Sequence, residues 1–190
     1  SRPGFADHPA DLPQELAFSA LDLPQDMNPR TRELVSGWLR ETPDPEALVE
    51  RAYRHFGQDP FRYTLEAPTL GFHSVDEFLF DTRAGFCEHY ASAFAVMMRF
   101  AGIPARIVTG YMGGFYNDFG GYMLVRQSDA HAWAEVWLDG RGWTRVDPTA
   151  AVSPARVERG SLDAVSAPRY WLDVPWLRSM TGWTAPLVAL

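Results

Sequence analysis

Apolar positions recur with a helical period in the first half of the chain and with a strand period in the second. Between Thr31 and Glu41 the residues Leu34, Val35, Trp38 and Leu39 share one helical face, and Pro43-Asp44-Pro45 ends the run. A second helix is predicted from Pro45 to Phe56, with Ala47, Leu48, Ala52, Tyr53 and Phe56 as its stripe. Asp44 is placed to cap it, and proline suits its first turn. Ser74 followed three residues later by Glu77 reads as a capping box. The strongest helix runs from Cys87 to Phe100, with Tyr90, Ala91, Phe94, Ala95, Met97 and Met98 inward and Gly102 and Pro104 closing it.

Beyond that point the period shortens. Strands are predicted over Arg106 to Tyr111, Tyr122 to Arg126, His131 to Leu138 and Gly142 to Asp147, with a short earlier one over Phe61 to Leu65. Residues 112–121, with four glycines and the aromatics Phe115 and Tyr116, read as a loop whose composition permits movement. Helices followed by an antiparallel sheet make an α+β fold. Residues 1–30, proline-rich and aperiodic, read as an extended arm; 31–150 form the core; 151–190 are a C-terminal extension with an aromatic end at Tyr170, Trp171, Trp176 and Trp183.

Strand parity makes one geometric test available. A two-residue turn at Asp139-Gly140 would point Asp147 away from His131, whereas an odd-length connection puts both on one face. The odd register sets Glu135 opposite Arg145, Trp137 opposite Trp143 and Trp133 opposite Asp147. It also gathers Ala132, Ala134, Val136, Leu138 and Val146 on the other, apolar face. An odd-length loop with a glycine bulge is therefore expected.

Composition narrows the function. The formal charge is -7 and the pI near 5.2, which argues against nucleic acid as a partner. No stretch of about 18 apolar residues is present to span a bilayer, and the first residues carry no signal-peptide core. All 17 basic residues are arginine. Codon bias accounts for that, and so does an enzyme that joins acyl groups to lysine amines and avoids modifying itself.

The one cysteine, Cys87, follows a glycine break at the start of the best helix, where the backbone dipole favours thiolate. His131 opens one strand and Asp147 closes the next. Nucleophile, base and base-orienting carboxylate in that order point to acyl transfer. His89 falls on a different helical face from Cys87 and reads as structural or surface. No histidine or cysteine pair has zinc-ligand spacing and no calcium loop is visible, so no metal or cofactor is expected.

Gly85-Phe86-Cys87-Glu88-His89-Tyr90-Ala91, His131-Ala132-Trp133-Ala134-Glu135-Val136-Trp137 and Val146-Asp147-Pro148-Thr149, in that order, resemble the transglutaminase-like core. Gly102-Ile103-Pro104-Ala105-Arg106 extends the match, which covers roughly residues 70–150. Within that superfamily the cysteine block is most similar to the bacterial inner-membrane TgpA type. The resemblance implies a papain-like α+β fold, with Cys87 as nucleophile, His131 as base and Asp147 as its orienter. It further implies a periplasmic domain tethered to the inner membrane, a protein glutamine as acyl donor and an amine as acceptor. The backbone N–H of Cys87 is one oxyanion donor, and Trp133 and Tyr63 are the candidates for the second. A cysteine protease or amidase would use the same three residues, and a binding domain that retains the fold is the non-catalytic alternative.

Overall fold

The computed structural model describes residues 12–159. Helix α1 spans Gln14–Leu21, α2 Pro29–Glu41 and α3 Pro45–Gln58. Asp44 caps α3 as its sequence suggests, its Oδ2 accepting from the Ala47 N–H at 2.8 Å. The expected extended arm is corrected by α1, because Gln14 to Leu21 carries good helix formers and no proline. That helix packs on the central helix and the sheet, with Ala20 buried.

A reciprocal cap joins α2 to α4, the short helix Ser74–Asp76 that continues into a π-helical stretch over Glu77–Thr82. Asn28, in the left-handed conformation asparagine tolerates, offers its Oδ1 to the N–H groups of Val75 and Asp76 at 3.1 and 3.3 Å. Asp76 returns the favour: its carboxylate accepts from the N–H groups of Arg30 and Thr31 at 2.9 and 2.8 Å, and from the Thr31 hydroxyl at 2.5 Å. Each side chain thus satisfies donors that a helix start leaves orphaned. The capping box expected between Ser74 and Glu77 does not form, since Asn28 supplies the cap from 47 residues away and Glu77 instead accepts from the Gly71 N–H at 2.7 Å.

Central helix α5, Cys87–Phe100, lies across the three-stranded antiparallel sheet β3-β6-β7, made of Ala105–Tyr111, Ala130–Leu138 and Gly142–Val146. Phe94, Met97 and Met98 are fully buried with Val136 and Leu48 in the core beneath it. Ala134 pairs with Val146, Glu135 with Arg145 and Trp137 with Trp143, the register that parity predicts. The connection is the odd one, three residues between Leu138 and Gly142, with Gly140 and Gly142 both at positive φ. Pairing runs unbroken from Leu138 to Ala134, so the irregularity sits in the turn rather than in a bulge of the ladder.

Other boundaries move. The early strand shortens to β1, Arg62–Tyr63, paired in parallel with β2, Ala84–Gly85. The glycine-rich stretch is no simple loop, because β4, Phe115–Asn117, and β5, Tyr122–Leu124, pair as a hairpin. Past residue 150 the core continues: α6, Thr149–Val152, packs Ala151 and Val152 against it, and α7 follows over Pro154–Arg159. The aromatic end from Tyr170 to Trp183 lies outside the described residues. No described helix is long and apolar enough to cross a membrane.

Candidate active site

The approach to Cys87 is fixed from both sides. Tyr63 pairs with Gly85 across β1 and β2, and the Thr64 N–H donates to the Gly85 carbonyl at 2.8 Å. A Cβ on Gly85 would lie 2.7 Å from Cγ of His89 and 2.8 Å from its Cβ, so only glycine admits the His89 ring here. That ring packs edge-on against Phe86 at 4.5 Å, and its Nδ1 accepts from the Phe86 N–H at 3.4 Å. This is the backbone half of a capping box, with histidine in the place usually held by glutamate. Burial lowers the His89 pKa against the pull of Glu88, which keeps the ring an acceptor. His89 therefore anchors the first turn of α5, the structural role its position suggests.

Cys87 is the first residue of α5, where the helix dipole and free N–H groups favour negative charge. It is 9% exposed and packs against Ala91 and, across on β6, Ala132. The neighbouring residue is His131, whose side chain is fully buried. Its Nε2 lies 2.7 Å from Oδ2 of Asp147, the residue that follows β7. Burial works against the charged ring, but hydrogen bonding to Asp147 and to Cys87, reinforced by their negative charge, outweighs it and raises the His131 pKa. With Nε2 held by Asp147, Nδ1 is the nitrogen left for the thiol. It is buried, and the sulfur acts on the ring's titration.

Around this pair the site is walled. The Trp133 indole stacks with the His131 ring at 6.2 Å and 24°, and its rim reaches 3.0 Å from where a Cβ of Gly110 would sit. Gly110 pairs with His131 in the sheet, so the missing side chain makes room for that indole. Arg145 lies over the Trp133 ring, 4.3 Å from its centre, and its Nη2 donates to Asp147 Oδ2 at 3.2 Å. The Trp133 Nε1–H is buried and makes no hydrogen bond. Tyr63, the other oxyanion candidate, stacks on the buried Tyr90 beside the segment leading into Cys87.

The structure thus brings together Cys87, His131, Asp147 and Trp133. Arg145 and the Gly85–His89 contact are additions to the sequence reading. Arg145 was placeable, since a residue two before Asp147 shares its strand face. The Gly85–His89 contact had no signal beyond a glycine four residues before the histidine.

A helix-start cysteine packed beside a strand histidine that is paired with the aspartate just past the neighbouring strand, on this order of helices and antiparallel strands, defines a known class. The chain belongs to the transglutaminase-like superfamily, whose family model matches residues 32–148. Among individual proteins it is 44% identical over 188 residues to a protein-glutamine gamma-glutamyltransferase of Pseudomonas aeruginosa, covering 88% of this chain and 28% of that protein. It is 34% identical over 145 residues to the uncharacterized protein YebA of Bacillus subtilis, covering 72% of this chain and 20% of that one. The crystal structure of the periplasmic domain of TgpA from Pseudomonas aeruginosa superposes with a TM-score of 0.78 at 47% identity, over 82% of this chain and 54% of that one. The fold is accordingly the transglutaminase-like α+β fold. The chain spans less than a third of the length of these two curated relatives.

Proposed function

We propose that this chain is the catalytic domain of a protein-glutamine gamma-glutamyltransferase, with Cys87 as nucleophile, His131 as acid and base, and Asp147 as the group that orients and charges His131. The observation that carries this reading is the 2.7 Å His131–Asp147 contact, on a ring whose titration the Cys87 thiol also influences. The similarity to the Pseudomonas aeruginosa transferase supports the substrate class.

The chemistry balances on these residues alone. The Cys87 thiolate attacks the carboxamide carbon of a glutamine side chain, forming the C–S bond and an oxyanion. Collapse breaks the C–N bond, and the proton on His131 Nδ1 goes to the departing ammonia, leaving a thioester. A primary amine then attacks the thioester carbon, His131 takes its proton, and the thiolate leaves as an isopeptide bond forms. Water in place of the amine gives deamidation. The Cys87 backbone N–H serves the oxyanion, and Trp133 is preferred over Tyr63 as second donor because its buried Nε1–H is unused and its ring stacks on His131. The match to a periplasmic domain supports placement of this domain on the periplasmic side of the inner membrane, tethered through parts of the protein beyond this chain.

The test is incorporation of a fluorescent primary amine into a glutamine-bearing protein, run beside a peptide-cleavage assay. Cys87→Ala is expected to abolish incorporation. Incorporation that survives the substitution ends the assignment, and cleavage without incorporation moves the activity to a protease or amidase.

A further inference from the structure

The β4-β5 hairpin presents apolar side chains to solvent on both of its faces. Phe115, Tyr116, Tyr122 and Leu124 are each about half exposed, and Met123 is 60% exposed. Tyr116 and Met123 are cross-strand partners, so they form one continuous surface. A two-stranded hairpin is marginal by itself in water, and an exposed apolar patch of this kind marks an interaction site.

This hairpin is nonetheless well held. At its tip Asn117 Oδ1 accepts from the N–H groups of Phe119 and Gly120, both at 3.0 Å, and its Nδ2 donates to the Tyr122 hydroxyl at 3.0 Å. At its base the Met112 N–H donates to the Asp129 carbonyl at 2.8 Å. The buried Asp129 carboxylate there accepts from the Arg126 backbone N–H at 3.0 Å and from its Nε at 3.2 Å. The base leads directly into the site, since Tyr111 pairs with Ala130 and Gly110 with His131. An ordered apolar surface is thus fixed within a few residues of the candidate general base.

We propose that this hairpin is the docking surface for the polypeptide that carries the reactive glutamine, and that it favours an extended donor segment with aromatic or aliphatic residues beside that glutamine. This rests on the transferase reading above. Two features choose this occupant. The hairpin springs from the end of the β3-β6 ladder that carries His131, so a chain lying along it is directed towards that residue. Each hairpin strand also pairs on one side only, leaving a backbone edge that an extended segment can join. A bilayer is disfavoured by charge. Residues 112–125 contain no lysine or arginine and one acid, Asp118, whereas surfaces that settle on anionic lipid carry basic residues around their apolar centre.

The test compares the full chain with its Tyr116→Ser/Met123→Ser variant, both also carrying Cys87→Ala so that binding is read without turnover. Fluorescence anisotropy of labelled dimethylcasein, an extended glutamine-rich chain, measures binding. The expected result is a loss of affinity on the order of tenfold in the hairpin variant, with an unchanged melting temperature. In the active background, amine incorporation into dimethylcasein should fall by a similar factor while incorporation into carbobenzoxy-glutaminylglycine, too short to reach the hairpin, stays the same. Equal casein affinity in the two proteins, no casein binding by the parent, or an equal fall for both donors overturns the proposal. So does finding that the substitutions abolish binding to phosphatidylethanolamine–phosphatidylglycerol vesicles, or a self-association seen by ultracentrifugation, while leaving casein binding intact. Hairpin-dependent casein binding by a chain that incorporates no amine would keep the docking surface and remove the transferase reading.

Discussion

Replacing Asp147 by Asn removes a charge from the site while keeping an oxygen that can accept from His131, so it isolates what the carboxylate charge does. The contact is 2.7 Å long between side chains that are 0% and 10% exposed. Little water screens it, and a charge-assisted hydrogen bond in that setting contributes about 1.5–3 kcal/mol. Removing that contribution should lower the His131 midpoint, because the carboxylate is what favours the charged ring against its burial. The measurement is an NMR titration of the histidine Cε1–H resonances, with His131→Gln assigning the signal among the five histidines. Titrating in a Cys87→Ala background removes the coupled thiol, so that the midpoint belongs to the ring. Arg145, which also donates to Asp147 Oδ2, stays in place in both proteins. The sign extends to stability. A folded-state pKa raised above the usual ~6.5 contributes stability that is fully present below that pH and is lost as pH rises through the folded value. Asp147→Asn should therefore cost more near pH ~6 than near pH ~9. Amine incorporation should drop about 10- to 100-fold. A His131 midpoint that stays put or rises would refute the assignment of Asp147 as the group that holds the ring's proton.

Two further perturbations probe what positions the site. Asp76→Ala strands the N–H groups of Arg30 and Thr31 in a buried setting and should cost about 3 kcal/mol in urea unfolding; a loss below ~1 kcal/mol would show that water replaces the carboxylate. Gly85→Ala drives a methyl into His89 and should destabilise by about 1–3 kcal/mol while slowing iodoacetamide labelling of Cys87, and unchanged melting and labelling would remove Gly85 and His89 from the positioning of Cys87.

Periodicity made the helices of Thr31–Glu41, Pro45–Phe56 and Cys87–Phe100 legible because each has a single apolar stripe that must be buried. The β6-β7 register was legible for a related reason: a one-residue slip would have turned Ala134, Val136 and Leu138 to solvent. Its consequence, His131 and Asp147 on one face, follows from that register alone. Interactions with no sequence period escaped. Asn28 caps a helix 47 residues away, so the local Ser74–Glu77 signal pointed to the wrong partner. Helix α1 lay hidden among prolines at Pro13 and Pro24, which bound it without entering it. In the hairpin the strand Tyr122–Leu124 falls within the predicted Tyr122 to Arg126, but its partner Phe115–Asn117 escaped because the apolar residues face water on both sides and show no alternation of burial.

The exchange between Asn28 and Asp76 bears on where this unit can be cut. Both the proline-rich arm ending at residue 30 and the family match beginning at residue 32 suggest trimming the chain there. Such a fragment would lose Asn28 and leave α2 without its entry turn and α4 without its acceptor, and α4 leads through β2 to Cys87. The smallest autonomous piece therefore starts upstream of residue 28, and a shorter one should lose activity by loosening the scaffold while every reacting atom is still present.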